Sequence, residues 1–259
     1  MILAVDIGNT HIVTGCIEGL EIKNIFRMAT QQARTEHEYA VSMKQILDFN
    51  GIKNTDFEGA VMSSVVPPLT ATMKTAIKIL TGHTPIVVEA SIKTGLNILI
   101  DNPAALGSDL VAAGVAARYS YKPPIIIFDM GTATTISVID ENSNFLGGAI
   151  VPGVAVSLNA LASRTSQLPM VPIEAPRRCI GTNTISSMQS GAVYGNAALM
   201  DGMIDRIEEE LGCSATVVAT GGLAKKIIPY CRHKIILDED LLLRGLAIIY
   251  DKNKQKVKK

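Results

Sequence analysis

Short apolar runs that end in an acid and then turn through a glycine mark this chain twice. Ile2-Leu-Ala-Val5 runs into Asp6-Ile-Gly-Asn-Thr10, and Ile125-Ile-Ile-Phe128 runs into Asp129-Met-Gly-Thr-Ala133, 123 residues further on. Residues 2–5 and 12–17 predict two strands flanking the first turn, with residues 23–28 as a third, in a hairpin or meander. Over residues 36–50 the apolar positions Tyr39, Met43, Ile46 and Leu47 share one helical face. Residues 60–66 and 86–88 predict short buried strands, the first ended by Pro67-Pro68, and residues 69–80 between them predict a helix closed by Gly82. The order is βββαβαβ.

The pattern restarts after Pro123-Pro124. Residues 125–128 and 134–140 flank the second turn as strands, and Gly147-Gly-Ala-Ile150 makes a third. Residues 154–163 and 185–211 predict helices, and residues 216–219 a strand ending at Thr220-Gly-Gly222. Both halves run strands first and helices later, which predicts an α/β protein of two related domains, residues 1–113 and 114–259, with a cleft between them. At their junction a small-residue helix is expected over residues 110–119. Ser108 or Asp109 is a candidate cap for it. Residues 252–259 carry five lysines and read as a solvated tail.

Composition narrows the function classes. With 47% apolar and 19% charged residues, 259 residues support a sizeable core rather than a disordered chain. A formal net charge of zero gives no reason to expect nucleic acid or a membrane surface as partner. No basic or long apolar leader opens the sequence, so a cytoplasmic protein is expected. Cys16, Cys179, Cys213 and Cys231 show no paired spacing and read as small hydrophobes. His11 lies just past the first turn, where it is either a neighbour of a bound nucleotide or an ordinary exposed side chain.

The turns carry the candidate chemistry. A glycine lets the backbone approach a phosphate chain, and successive N–H groups of a tight turn can point at anionic oxygens. An Asp at the strand end can hold Mg²⁺ against the phosphates, directly or through water. Asn9, Thr10 and Thr132 add donors and hydroxyls. Either turn alone reads more readily as an ordinary hairpin turn, since Asp, Asn and Gly favour turns for their own backbone reasons. Two copies favour the phosphate reading. Asp109, read from its position alone, is most simply a helix cap.

The paired turns, with Thr220-Gly-Gly222 downstream, resemble the phosphate and adenosine motifs of the actin, Hsp70 and sugar kinase superfamily. Within it the chain resembles the type III pantothenate kinases. The resemblance is carried further by Arg34-Thr-Glu-His-Glu-Tyr39, Ser63-Ser-Val-Val-Pro67, Asn102-Pro103, Leu106-Gly-Ser-Asp109, Gly147-Gly-Ala-Ile-Val-Pro-Gly153, Leu168-Pro169, Gly181-Thr-Asn-Thr184, Gln189-Ser-Gly191 and Asp240-Leu-Leu-Leu-Arg-Gly-Leu246. It implies two duplicated ribonuclease-H-like domains of the actin-like ATPase type and a homodimer. It implies ATP-dependent phosphorylation of pantothenate, the first step of coenzyme A synthesis, with Mg²⁺ and a monovalent cation, K⁺ or NH₄⁺. By resemblance, Asp6, Ile7, Gly8, Asn9, Thr10, His11, Ile12 and Val13 line the ATP site with Thr132, Asp6 also serving Mg²⁺. Asp129 corresponds to the monovalent-cation acid and Asp109 to the catalytic base. Gly107, Ser108, Asp109, Leu110 and Thr184 correspond to pantothenate contacts. The chain departs from the family pattern at Leu110, where the family has Arg, at Ile100, where it has Tyr, and at His37, where it has Asp. The first two departures motivate a second reading, a catalytically weak paralogue that binds nucleotide or ligand as an accessory protein. A filament-forming or chaperone ATPase is disfavoured, because the chain lacks room for the extra subdomains.

Overall fold

Each apolar run that ends in an acid becomes an interior strand of its own sheet. The computed structural model describes residues 1–89 and 91–254. The first half comprises β1 (Ile2–Ile7), β2 (His11–Glu18), β3 (Glu21–Ala29), α1 (Glu36–Phe49), β4 (Gly59–Ser64), α2 (Pro67–Thr81) and β5 (Ile86–Val87). After β6 (Asn97–Ile98) and α3 (Ser108–Ser120) come β7 (Ile125–Met130), β8 (Ala133–Ile139), β9 (Asn144–Pro152), α4 (Val154–Arg164) and α5 (Thr184–Leu211). β10 (Thr216–Thr220), the short α6 (Ala224–Ile227), β11 (Ile236–Leu237) and α7 (Leu241–Asn253) complete the described chain.

The sheets have one topology used twice. The first runs β3-β2-β1-β4-β5 and the second β11-β10-β7-β8-β9-β6, so the second repeats the first with β6 added beside β9. In both, the strand carrying the acid pairs antiparallel with the strand after the turn and parallel with a later one. This is the expected duplicated α/β class. The chain packs as two compact units, one of Met1–Leu96, Asp101–Tyr119 and Asp240 onward, the other of Asn97–Ile100 and Ser120–Glu239. The halves 1–113 and 114–259 expected from the repeated turn divide the sequence. The packed units differ from those halves chiefly because α7 returns to the first unit.

Alternation along β1 places Leu3, Val5 and Ile7 in a core with Tyr39, Met43 and Leu47 of α1 and Leu69, Met73 and Ile77 of α2. α7 packs against β1, β2 and β4. Its Gly245 sits against the carbonyl of Ala112 in α3, which explains the small residues of α3: a Cβ on Gly245 would lie 1.9 Å from that oxygen. In the second unit Ile126, Phe128, Met130 and Ile136 pack under α4 and α5. No helix among the described residues is long and apolar enough to cross a membrane.

Three expectations need correction. Pro67 and Pro68 open α2 rather than close β4, which ends at Ser64; proline suits the first helical turn because its missing N–H would be unpaired there. The expected lysine tail begins inside α7, which runs to Asn253, and residues 255–259 of that tail lie outside the described residues. α3 starts at Ser108, whose hydroxyl turns away to β4 instead of capping the helix.

Candidate active site

β1 and β4 run parallel with Asp6 opposite Ser63 and Ile7 opposite Ser64. The fully buried Ser63 donates its hydroxyl to Asp6 Oδ1 at 2.7 Å. A carboxylate has about four acceptor directions, so this bond orients Asp6 without exhausting it. Beyond Asp6 the chain reverses tightly, with the Gly8 N–H donating to the His11 carbonyl at 3.0 Å. Thr30 closes the turn from the side. Its hydroxyl donates to the Gly8 carbonyl at 2.7 Å and its N–H to the Thr10 carbonyl at 3.0 Å. Thr30 is fixed in turn through Gln31, whose N–H donates to Tyr39 Oη at 3.0 Å while Oη donates to the Gln31 carbonyl at 2.9 Å. The Arg34 guanidinium lies 5.2 Å from the centre of the Tyr39 ring and donates to Ser42 Oγ at 2.8 Å.

This geometry divides the segment from Asp6 to Val13. Asn9, Thr10 and His11 are exposed at the turn, Asp6, Gly8 and Val13 are half-buried, and Ile7 and Ile12 are fully buried in the core. Ile7 and Ile12 can therefore reach a ligand only through their backbone.

Asp109 lies in the first turn of α3, in the same unit as Asp6. Its Oδ1 accepts the Leu110 N–H at 2.8 Å. Burial pushes the Asp109 carboxyl above its ordinary value, and backbone N–H groups of Leu110 and Asp109 partly offset that rise. Gly107 makes the arrangement possible, because a Cβ there would lie 2.4 Å from Asp109 Oδ1. In this rotamer the carboxylate folds back over the helix start into space that a side chain at position 107 would occupy. Leu110 is half-buried beside it.

In the second unit, Asp129 near the end of β7 lies between Thr135 of β8 and Thr220 of β10. The turn beyond it is closed by the Gly131 N–H on the Ala133 carbonyl at 3.0 Å, and the Thr132 carbonyl accepts from Gly153 at 3.2 Å. Gly221 has φ +91°, and a Cβ on it would lie within 2.7 Å of the Met130 backbone. The Thr220-Gly-Gly222 turn therefore rests directly on the phosphate-type turn. Thr184 is the exposed first residue of α5, whose start is held by a capping box between Asn183 and Ser186.

The first unit brings Asp6, its turn and Asp109 together, and the second brings together Asp129, Thr132 and Gly221. Among the described residues no three His, Cys, Asp or Glu side chains form a ready metal cluster. Sequence reasoning gave Thr30 no role, read Tyr39 as part of a helical apolar face, and used Tyr39 and Ser63-Ser64 only as motifs of the family resemblance, not as parts of the site. Ser63-Ser64 carried a usable signal, a pair of small polar residues closing an apolar strand.

The profile of the family described as type III pantothenate kinase matches residues 2–206. The type III pantothenate kinase of Moorella thermoacetica is 41% identical over 253 residues, covering 98% of this chain and all of that protein. The type III pantothenate kinase of Geobacillus sp. strain WCH70 is 40% identical over 256 residues, covering 99% of each. Among solved structures, the activator of 2-hydroxyisocaproyl-CoA dehydratase from Clostridium difficile with bound ADPNP superposes with a TM-score of 0.56 at 13% identity, over 99% of this chain and 97% of that one. The inorganic polyphosphate/ATP-glucomannokinase of Arthrobacter sp. strain KM superposes with a TM-score of 0.51 at 13% identity, over 98% of both chains. These two likenesses concern the fold, which is that of the actin-like ATPases and sugar kinases.

Proposed function

The chain belongs to the type III pantothenate kinase family, and from that premise we propose how its own residues carry the reaction. The protein is a kinase that transfers a phosphoryl group from ATP to pantothenate, giving 4′-phosphopantothenate in the first step of coenzyme A synthesis. The accessory-protein reading is not favoured.

The observation that carries the residue assignment is the placement of Asp6 and Asp109 in one unit, each carboxylate held by a specific hydrogen bond. Phosphoryl transfer asks the protein mainly to position reactants and neutralise charge. Gly8, Asn9, Thr10, His11 and Val13, with the backbone of Ile7 and Ile12, cradle the ATP phosphates, and Thr132 is assigned to ATP by its correspondence to the family. Asp6 holds Mg²⁺, whose chemistry is to neutralise the charge on the phosphates. Asp109 orients the primary hydroxyl of pantothenate and accepts its proton as the bond to phosphorus forms. Its raised pKa supports this role, because a carboxyl of ordinary pKa, about 3.9, is a weak base.

Gly107 and Leu110 contact pantothenate beside Asp109 in this proposal, and Thr184 is assigned to pantothenate by its correspondence to the family. Without an arginine at position 110, the pantothenate carboxylate depends on other donors. Asp129 binds a monovalent cation. A homodimer is part of the same proposal. A cytoplasmic location goes with the use of ATP.

The deciding experiment supplies the protein with ATP, Mg²⁺, K⁺ and pantothenate and measures ADP and 4′-phosphopantothenate for wild type, Asp109→Asn and Leu110→Arg. Wild type is expected to form product, Asp109→Asn to lose kcat, and Leu110→Arg to lower KM for pantothenate. Wild-type kcat in Asp109→Asn would refute the base assignment. Replacing K⁺ by Na⁺ is expected to slow wild type and to leave Asp129→Asn unaffected.

A further inference from the structure

Ser64 at the end of β4 has both of its backbone groups taken by one side chain. The Ser64 N–H donates to Ser108 Oγ at 2.9 Å, and Ser108 Oγ donates to the Ser64 carbonyl at 3.1 Å. The Ser108 hydroxyl thus stands where the backbone of a neighbouring strand would otherwise pair. The strand end is stiffened further by its own side chain. Ser64 Oγ accepts from the Val66 N–H at 3.2 Å and from Thr70 Oγ1 at 3.0 Å, at the start of α2.

A serine hydroxyl has one hydrogen and two lone pairs. In Ser108 the hydrogen is committed to the Ser64 carbonyl and one lone pair to the Ser64 N–H. The hydroxyl cannot donate to the carboxylate of an acceptor substrate without breaking the first bond. Ser108 is followed by Asp109, and Ser64 is preceded by Ser63, whose hydroxyl holds Asp6 at 2.7 Å. A continuous path therefore runs from the Asp6 carboxylate through Ser63, one peptide of β4, Ser64 and Ser108 to Asp109, all within the first unit.

We propose that Ser108 is a positioning residue rather than a substrate contact, and that it fixes the start of α3 on β4 so that Asp109 and Asp6 keep one spacing. This rests on the reading of Asp109 as base and Asp6 as cation ligand given above. Its physical basis is that transfer from ATP requires acceptor and donor in near-attack geometry, where displacements of about 1 Å cost on the order of 100-fold in rate. In-line transfer would then depend on a distance set by side-chain hydrogen bonds across 44 residues of sequence.

The test compares Ser108→Ala, Ser108→Thr, Ser63→Ala, the double Ser63→Ala/Ser108→Ala and Asp109→Asn by steady-state kinetics, with ATP and pantothenate varied separately. Ser108→Ala is expected to lower kcat by about tenfold to 100-fold with KM for pantothenate within about twofold of wild type. Ser108→Thr, which keeps the hydroxyl, is expected to recover most of that loss. The double variant is expected to lose less than the product of the two single losses, since both break the same path. Hydrogen exchange at the Ser64 amide is expected to speed up in Ser108→Ala, a readout that needs no turnover. A raised KM for pantothenate at unchanged kcat would make the hydroxyl a substrate contact and overturn the proposal. Wild-type kinetics in Ser108→Ala, or independent losses in the double variant, would overturn it too. If Asp109→Asn loses kcat while Ser108→Ala does not, only the brace fails. Wild-type kcat in Asp109→Asn would remove the base assignment and this inference with it.

Discussion

Asp109 is held in a setting that favours its protonated form, which gives one residue opposite effects on activity and stability. Asp109→Asn is expected to lower kcat by about 100-fold to 10,000-fold, the usual contribution of a positioned acid or base. The same change is expected to leave the melting temperature at pH 7 equal to or above wild type. The sign follows from linkage. A carboxyl whose folded pKa lies above its unfolded value adds stability while protonated, and that stability is lost as pH rises through the folded pKa. Wild type should therefore show a decline in stability above the ordinary Asp range that Asp109→Asn lacks, measurable as melting temperature against pH. The acid limb of kcat against pH should lie above about 3.9 for the same reason. Thr30 offers a separate check on the nucleotide side. Thr30→Val leaves the Gly8 carbonyl without its side-chain donor, a loss of about 1 kcal/mol that corresponds to roughly a fivefold rise in KM for ATP. Thr30→Ser should restore wild-type KM, and a wild-type value for Thr30→Val would show that the turn holds its shape without this bond.

At the scale of elements, the turn at Gly221 combines a close backbone contact with a positive φ. Gly221→Ala combines an unfavourable φ with a Cβ inside the Met130 backbone, and is expected to cost more than about 1 kcal/mol of stability and to abolish ATP binding, read by urea unfolding and calorimetric titration. The elements that lead to these turns were legible in the sequence, because Ile2, Leu3, Val5 and Ile125 to Phe128 announce buried strands and Asp-x-Gly announces the tight turn at the end of each. α1 was legible through Tyr39, Met43 and Leu47 on one face. α7 was not, because residues 245–250 are all buried and so present no amphipathic stripe. β6 and β11, two residues each, are too short for alternation to register. The site was legible as motifs and illegible as a network. Asp6, Asp109 and Gly107 stand out by type and spacing, but the link from Ser108 to Ser64 exists only once parallel pairing brings β4 beside β1.

At the scale of the whole molecule, the first unit is interrupted by the second and completed by α7. Removing residues 241–253 would bare the surfaces of β1, β2 and β4 that α7 covers, and the truncated protein is expected to aggregate, measured as loss of soluble yield and of cooperative unfolding. Gly245→Val is the milder form of the same test, since it forces α7 away from the Ala112 carbonyl and should lower the melting temperature. The return of α7 also sets a timetable for the chain as it leaves the ribosome. After α3 emerges, the 120 residues Ser120–Glu239 must be made before α7 can follow, about 6 to 24 s at roughly 5 to 20 residues per second. For that interval the nascent first sheet lacks the helix that covers β1, β2 and β4, so slowed translation of Ser120–Glu239 should raise chaperone dependence in the cell even though the finished amino-acid sequence is unchanged.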